Sequence, residues 1–416
     1  MFMEQMPKIR FSQFDNKWNS ILIGDLAQIK RGASPRPIQD PKWFDENSDI
    51  GWLRISDVTE QNGRIKYLEQ KISKLGQEKT RVLNTPHLLL SIAATVGKPV
   101  VNYVKTGVHD GFLIFENPKF DREFMFQWFD MFRPKWNKYG QPGSQVNLNS
   151  DIIRNHKMMI SSLSEQSAIG SLFRTLDDLL VSYKDNLANY QSLKATMLSK
   201  MFPKAGQTVP EIRLDGFEGE WEKTTLEKST ERIKSYSLSR DVETSQDTGL
   251  KYIHYGDIHL GKVSLIDNGN SIPYIRSDTK MNEFLQQGDL IFADASEDYK
   301  GIAEVAVVAT DLSEKIVAGL HTIAVRPYSI FDSIFLYYMF KTQTFRKYGY
   351  KVGTGMKVFG ISPSNLMKYE FFYPDKKEQQ AIGSYFSNLD NLINSHQEKI
   401  SQLETLKKKL LQDMFI

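Results

Sequence analysis

The chain has 416 residues, 40% of them hydrophobic and 25% charged, with a net charge of +3 and no cysteine. That length holds two or three domains with real cores. The small net charge excludes a nucleic-acid partner argued from bulk charge alone, and the lack of cysteine excludes disulfides and thiolate metal sites and fits a reducing compartment. Met1 to Arg10 carry no apolar signal-peptide core, and the longest apolar run, around Leu88 to Val96, is too short to span a bilayer. The expectation is a soluble cytoplasmic protein with no membrane partner. Charge is uneven, however: residues 1–160 carry 23 Lys+Arg against 17 Asp+Glu, and residues 210–377 carry 21 against 24.

In chain order, Pro7-Lys8-Ile9-Arg10-Phe11 comes first, followed by Phe14 and Trp18. This frame returns 203 positions later as Pro210-Glu211-Ile212-Arg213-Leu214 with Phe217 and Trp221. Trp52-Leu53-Arg54-Ile55-Ser56-Asp57-Val58 aligns more loosely with Tyr252-Ile253-His254-Tyr255-Gly256-Asp257-Ile258. Between these anchors the two stretches diverge. Each reads as mixed and strand-rich, with runs such as Val100 to Val104 and Ile302 to Val308 bounded by Gly, Asp, Asn and Pro. One helix is expected in each, near Arg122 to Phe132 and near Asp332 to Tyr348.

Two long helices complete the repeat. Glu165 to Leu180 reappears 213 positions later as Glu378 to Ile393, with 10 of 16 positions identical, and Met201-Phe202 returns as Met414-Phe415. Ile169, Leu172, Leu176, Leu179, Tyr183, Tyr190, Leu193 and Met197 recur at three- and four-residue steps, matched by Ile382, Tyr385, Leu389, Leu392, His396, Leu403, Leu406 and Leu410. Each helix spans roughly 37 residues, hence about 55 Å. A lone helix of this kind leaves an apolar seam in water, so the copies are expected to pack together, antiparallel under a pseudo-two-fold. Asn186 and Lys399 interrupt the stripe, either as tolerated polar positions or as a device fixing register. The expected fold class is α+β: two mixed, strand-rich domains (1–160 and 207–376), each followed by a repeated helix (161–206 with its linker, and 377–416), the helices forming an antiparallel coiled coil.

Catalytic patterns are missing. The seven histidines show no metal-ligand spacing, and His254 with His259 read as structural or DNA-facing. No phosphate-binding G-x-x-x-x-G-K-S/T loop occurs. Gly353-Thr354-Gly355 lacks a dinucleotide context, and Pro374-Asp375-Lys376 lacks the second half of a nuclease motif. No catalytic or metal residue is assigned. Basic, aromatic and glycine-rich segments remain. Arg133 to Gln145 has no acid and includes Lys135, Lys138, Tyr139, Ser144 and Gln145; its counterpart, Phe345 to Lys357, includes Lys347, Lys351, Thr354 and Lys357. Lys and Arg neutralise phosphates, glycine admits close backbone approach, and Gln or Arg reads base edges. Either run alone reads more readily as a solvated loop; its recurrence at matching positions favours DNA. Further DNA-facing candidates are Arg31, Ser34 and Arg36, then Lys234 and Arg240. Arg54 with Ser56, His254 with Tyr255, and the loop residues Lys98 and Lys300 complete the set.

The duplicated Glu-Gln-x-Ala-Ile-Gly-(x2)-Phe-(x2)-Leu-Asp-(x2)-Leu/Ile helix start, the Met-Phe helix ends, Trp18 and Trp221, the Asp57 and Asp257 motifs and the loops before each helix resemble the specificity subunits of type I restriction–modification systems. The resemblance covers essentially the whole chain. It implies two target-recognition domains, each reading one half of a split, asymmetric double-stranded DNA target, with the helices as spacer; such readers address sites about one helical turn, ~34 Å, apart. It also implies a non-catalytic scaffold for two methyltransferase subunits, which use S-adenosylmethionine, and for restriction subunits, which use ATP and Mg. Two departures from the family pattern lie in the second half: Asp294 to Asp298 is acidic where the first half has Ile92 to Thr95, and the second domain is net acidic overall. Two other readings stand beside this one. The DNA-reading module of a self-contained restriction–methylation enzyme is disfavoured by the missing motifs. A scaffold for a two-fold protein partner would show no salt-dependent DNA binding.

Overall fold

The computed structural model describes residues 6–139, 148–267, 269, 271–276, 281–296, 302–312, 314–354 and 359–416, with the backbone alone for 137–139. The chain divides into two compact units, Met1–Lys184 with Glu398–Ile416, and Asp185–Gln397. The division falls inside both long helices, Leu163–Lys200 and Lys376–Met414.

The units repeat one topology in their frame strands and main sheet. In the first, Asn19–Leu22 pairs antiparallel with Lys157–Ile160. A five-stranded sheet runs in the order Gln28–Arg31, Phe112–Glu116, Leu88–Ser91, Pro99–Asn102, Arg64–Ile65. Only its last pair is parallel. In the second unit Glu222–Thr225 pairs with Glu370–Tyr373. The sheet order there is Thr230–Ile233, Thr322–Pro327, Leu290–Ala293, Val305–Val308, Leu265–Ile266, again with a parallel last pair. Successive side chains of a strand alternate between faces. Leu88, Leu90, Val101 and Phe115 therefore join one core, while Leu89, Val100 and Ile114 join another on the opposite face. A sheet covered on both sides explains the uninterrupted Leu88-Leu89-Leu90 run.

Each sheet carries a helix whose start is capped by aspartate: Asp121 accepts from the Phe124 amide at 2.9 Å, and Asp332 from the Phe335 amide at 2.8 Å. The single helix expected near Asp332 to Tyr348 is two, Ser333–Phe340 and Gln343–Val352. Thr342 makes the break, its hydroxyl accepting from the Phe345 amide as a new N-cap.

The repeated helix start docks the same way in both units. Glu165 and Glu378 are 1% and 0% exposed, each bridged bidentately by an arginine from the frame: Arg10 at 2.6 and 2.7 Å, Arg213 at 2.7 and 2.6 Å. The next residue, Gln166 or Gln379, accepts the backbone N–H of Asp121 or Asp332. Gly170 is required because a Cβ there would lie 2.6 Å from Asp121 Oδ1; at Gly383 the matching distance to Asp332 is 3.1 Å. The Met-Phe ends are core residues as well. Phe415 lies 5.1 Å from Phe124 in the first unit, and Phe202 lies 5.5 Å from Phe335 in the second.

The long helices run antiparallel, with ascending residues of one meeting descending residues of the other. Asp177 bonds Lys407 and Lys184 bonds Glu404 in the first unit; Tyr190 meets His396 and Lys194 bonds Asp390 in the second. The seam differs from the expected stripe at every other step. The inward residues are Ile169, Phe173, Leu176, Leu180, Tyr183, Leu187, Tyr190, Lys194 and Met197, with counterparts Ile382, Phe386, Leu389, Ile393, His396, Ile400, Leu403, Lys407 and Leu410. Leu172 and Tyr385 are half-buried, and Leu179 and Leu392 are each 41% exposed, replaced in the seam by Leu180 and Ile393. Asn186 and Lys399 are exposed and do not interrupt the seam. Both stripes average 3.5 residues, and the burial of Phe173 and Phe386 in the domain cores selects between them. Two seam positions are lysines, and each meets an equivalent aspartate, Lys407 with Asp177 at 2.6 Å and Lys194 with Asp390 at 2.5 Å. Among the described residues, no helix is long and apolar enough to cross a membrane.

Glu165→Ala strands a nearly buried arginine and should cost about 3–5 kcal/mol in denaturant unfolding, whereas Leu179→Ala should stay within about 0.5 kcal/mol. Burial raises the Asp177 carboxyl pKa, but Lys407 and Arg64 outweigh it and hold the group below its ordinary value of 3.8. A depressed folded-state pKa gives stability that is present above the unfolded value and lost as pH falls through the folded one. Asp177→Asn should therefore flatten the acid side of the stability–pH curve near and below pH 3.8; an unchanged acid limb would place the titration elsewhere.

Candidate nucleic-acid interface

In the first unit three separated candidates meet. Ser34, Arg36 and Arg54 line one cleft of about 730 Å³ with Trp52, His109 and Asp110. The centre is the tip between strands Thr106–Val108 and Phe112–Glu116. Ser34 Oγ donates to Asp110 Oδ1 at 2.8 Å and accepts from the Asp110 amide at 3.2 Å. Arg31 Nε donates to the Asp110 carbonyl at 2.6 Å, and Arg36 Nη2 reaches Asp110 Oδ2 at 3.3 Å. Partial burial raises the Asp110 carboxyl pKa, but the Ser34 bond and the Arg31 charge lower it further, leaving it below its ordinary value. Arg54 is anchored, its guanidinium donating twice to Asp57. Ser56 is exposed on the short helix beyond. Burial lowers the His109 pKa, and its Nδ1 accepts from the Gly111 amide, so it serves as a neutral ring.

Lys98 lies apart from that cleft. Its ammonium donates to Asn62, and its pKa is lowered by partial burial. Arg133 Nε donates to the Val96 carbonyl, and a Cβ on Gly97 would meet Trp136 at 2.5 Å. The Lys98 turn therefore packs against the segment that carries Lys135, which is exposed, with Nζ 5.1 Å from the Phe132 ring. That segment is a 3₁₀ helix, Arg133–Tyr139, where sequence suggests a loop, and its counterpart is the helix Gln343–Val352, which runs four residues past the expected end at Tyr348. Phe345, Tyr348, Gly349 and Val352 turn one face inward at helical spacing, which leaves Lys347 and Lys351 exposed four residues apart on the other. Thr354 is exposed just beyond. The side chains of Lys138 and Tyr139, and residues Ser144, Gln145, Lys300 and Lys357, lie outside the described residues.

The second unit gathers a different set. Asp257, 4% exposed, is met by Arg240 at 2.9 Å, whereas Asp57 is met by Arg54. At Arg54's position the second unit has His254, 7% exposed, whose Nδ1 accepts from the Gly256 amide. Burial and the Arg240 charge lower its pKa, so it caps a helix and is not a cation for phosphate. Tyr255 packs edge-on to His321, which contacts Asp294 at 3.1 Å. Lys234 is exposed, with Nζ 4.9 Å from the Tyr236 ring. Asp375 is structural: its carboxylate caps the second long helix by accepting from the Lys377 and Glu378 amides. Among the described residues no group of three or more His, Cys, Asp or Glu is placed to hold a metal ion. Sequence reasoning overlooks Asp110, Trp52 and His321. A lone Asp or His in a turn carries no distinguishing signal, and only the fold carries it to Ser34 or Asp294.

The sequence matches the model of the type I restriction modification DNA specificity domain twice, over residues 15–189 and 240–405. The type I restriction enzyme MjaVIII specificity subunit of Methanocaldococcus jannaschii is 20% identical over 407 residues, covering 95% of this chain and 91% of that protein. The MjaIX specificity subunit of the same organism is 33% identical over 84 residues, 20% of this chain and 19% of that one. Among solved structures, the S subunit of a type I restriction–modification system from M. genitalium matches with a TM-score of 0.62 at 14% identity over 99% of both chains, a likeness of fold. With two matched domains covering most of its length and the duplicated helix frame in each, the chain belongs to the family of type I restriction–modification DNA specificity subunits.

Proposed function

We propose that this chain recognises a bipartite, asymmetric double-stranded DNA sequence, each unit reading one half, and directs two methyltransferase subunits and the restriction subunits to it without catalysis of its own. The observation that carries this reading is the contrast between frame and filling. Arg10–Glu165 and Arg213–Glu378 are the same device built twice, while Asp57 and Asp257 are neutralised by arginines from different segments. Equal frames suit two copies of one partner, and unequal fillings suit two different half-sites. On this reading S-adenosylmethionine belongs to the methyltransferase partner, ATP and Mg to the restriction partner, and the complex works in the cytoplasm.

The helix pair supplies matching partner patches. Register places Leu179 level with Leu406 in the first unit and Leu193 level with Leu392 in the second, all between 41% and 45% exposed. In each unit both leucines precede a seam residue, and within an antiparallel pair such positions share one side. Exposed apolar side chains grouped this way suit a protein partner.

Co-expression with a methyltransferase subunit, followed by mapping of methylated positions across a genome, tests the whole reading. The expected result is a split motif of two defined half-sites around an unspecified gap; an intact complex that adds no methylation counts against it. Leu179→Asp with Leu406→Asp should weaken methyltransferase assembly in pull-down while leaving DNA binding by the free subunit unchanged. Lys347→Ala with Lys351→Ala should weaken DNA binding about equally for all sequences and reduce the salt slope by roughly 2. An unchanged slope would remove these lysines from the interface.

A further inference from the structure

The cleft of the first unit separates its arginines into different states. Arg54 is locked on Asp57 with its side chain 36% exposed, whereas the Arg36 side chain is 82% exposed and tied by one 3.3 Å contact to Asp110. Asp110 is itself held on three sides, by the Ser34 hydroxyl twice and by Arg31 at its carbonyl, which leaves Oδ2 to direct Arg36. Pro35 and Pro37 flank Arg36, and their fixed φ restricts the backbone that presents it. A guanidinium that is oriented in advance loses less freedom on forming two parallel hydrogen bonds.

Charge argues for bases over phosphates at this point. Arg31, Arg36 and Arg54 are balanced by Asp57, Glu69 and Asp110. Such a set gains little from a phosphate, and a carboxylate facing the duplex is repelled by its backbone. Asp110 is therefore useful for aim, since phosphate contacts position a protein and base contacts specify the sequence. Asp110 also has no counterpart. Phe112 and Thr322 begin equivalent strands, so the residue two places earlier in the second unit is Leu320. A residue that reads one half-site is expected where the two copies differ.

We propose that Arg36 is a specificity-determining residue of the first unit, donating from both arms of its guanidinium to O6 and N7 of a guanine in the major groove, with Asp110 as its positioning residue. This rests on the reading of the unit as a half-site reader. Arg36 carries the contact and Asp110 acts only through it.

The test is methylation mapping with the intact methyltransferase complex carrying wild-type chain, Arg36→Lys, Arg36→Ala or Asp110→Asn, joined to salt-dependent binding of duplexes varied at each motif position. Wild type should give a split motif with a guanine in one half. Arg36→Lys should relax that position alone, lowering discrimination roughly 5- to 150-fold, the equivalent of about 1–3 kcal/mol. Asp110→Asn, which retains a partner for Ser34, should relax the same position to a lesser degree and leave the other half-site unchanged. If Arg36→Ala weakens all sequences equally and lowers the salt slope by roughly 1, Arg36 contacts phosphate and the assignment is overturned. An unchanged motif and affinity also overturns it. A wild-type complex with no split motif overturns the half-site reading and this assignment together.

Discussion

A glutamate with almost no solvent access begins each long helix, and a bidentate arginine from the frame compensates it. Burying a carboxylate alone is prohibitive, and its pairing repays that cost only when the geometry is good. Both oxygens of Glu165 and Glu378 receive a guanidinium N–H, so the helix can start in one place only, with its glutamine against the N–H of the capping aspartate and its glycine against that aspartate's side chain. Helix direction, seam orientation and contact with the sheet domain all follow from this junction. Arg10 and Arg213 lie far from their partners in sequence, so the junction also ties the beginning of each frame to its end.

The helices then add a second level of order. A seam of apolar side chains supplies most of the contact, but apolar contact alone permits sliding by a heptad. The two lysine–aspartate pairs, at equivalent places in the two units, penalise such a shift because each slipped register leaves a half-buried lysine and aspartate unmatched. Asp177 is further held by Arg64 and Gln127, and Asp390 by the Tyr338 hydroxyl. The seam is thereby referenced to each sheet domain through different side chains, and two divergent domains share one helix frame.

The sheet domains show how the frame tolerates change. Both keep a buried aspartate at the start of a short helix, and each neutralises it with the arginine its own loops supply. The rest of the surface is then released to vary, giving a cleft built on Asp110 in one unit and a His321–Asp294 contact in the other.

Duplication, helix length and the antiparallel fold class were legible in the sequence, because repeated residues and heptad spacing are local signals that tertiary context does not erase. The choice between two stripes of equal period was not, since Leu172 and Phe173 are equally apolar and only the domain core selects Phe173. Basic runs flagged positive segments, yet left Lys351 beyond the expected helix end at Tyr348, because glycine and lysine propensities are weak beside the packing of Phe345, Tyr348 and Val352. The sequence by itself determined that the chain is two variations on one frame. Tertiary structure alone decided which polar side chains meet, because Ser34 and Asp110, or Arg240 and Asp257, are brought together by strand pairings whose partners no local pattern specifies.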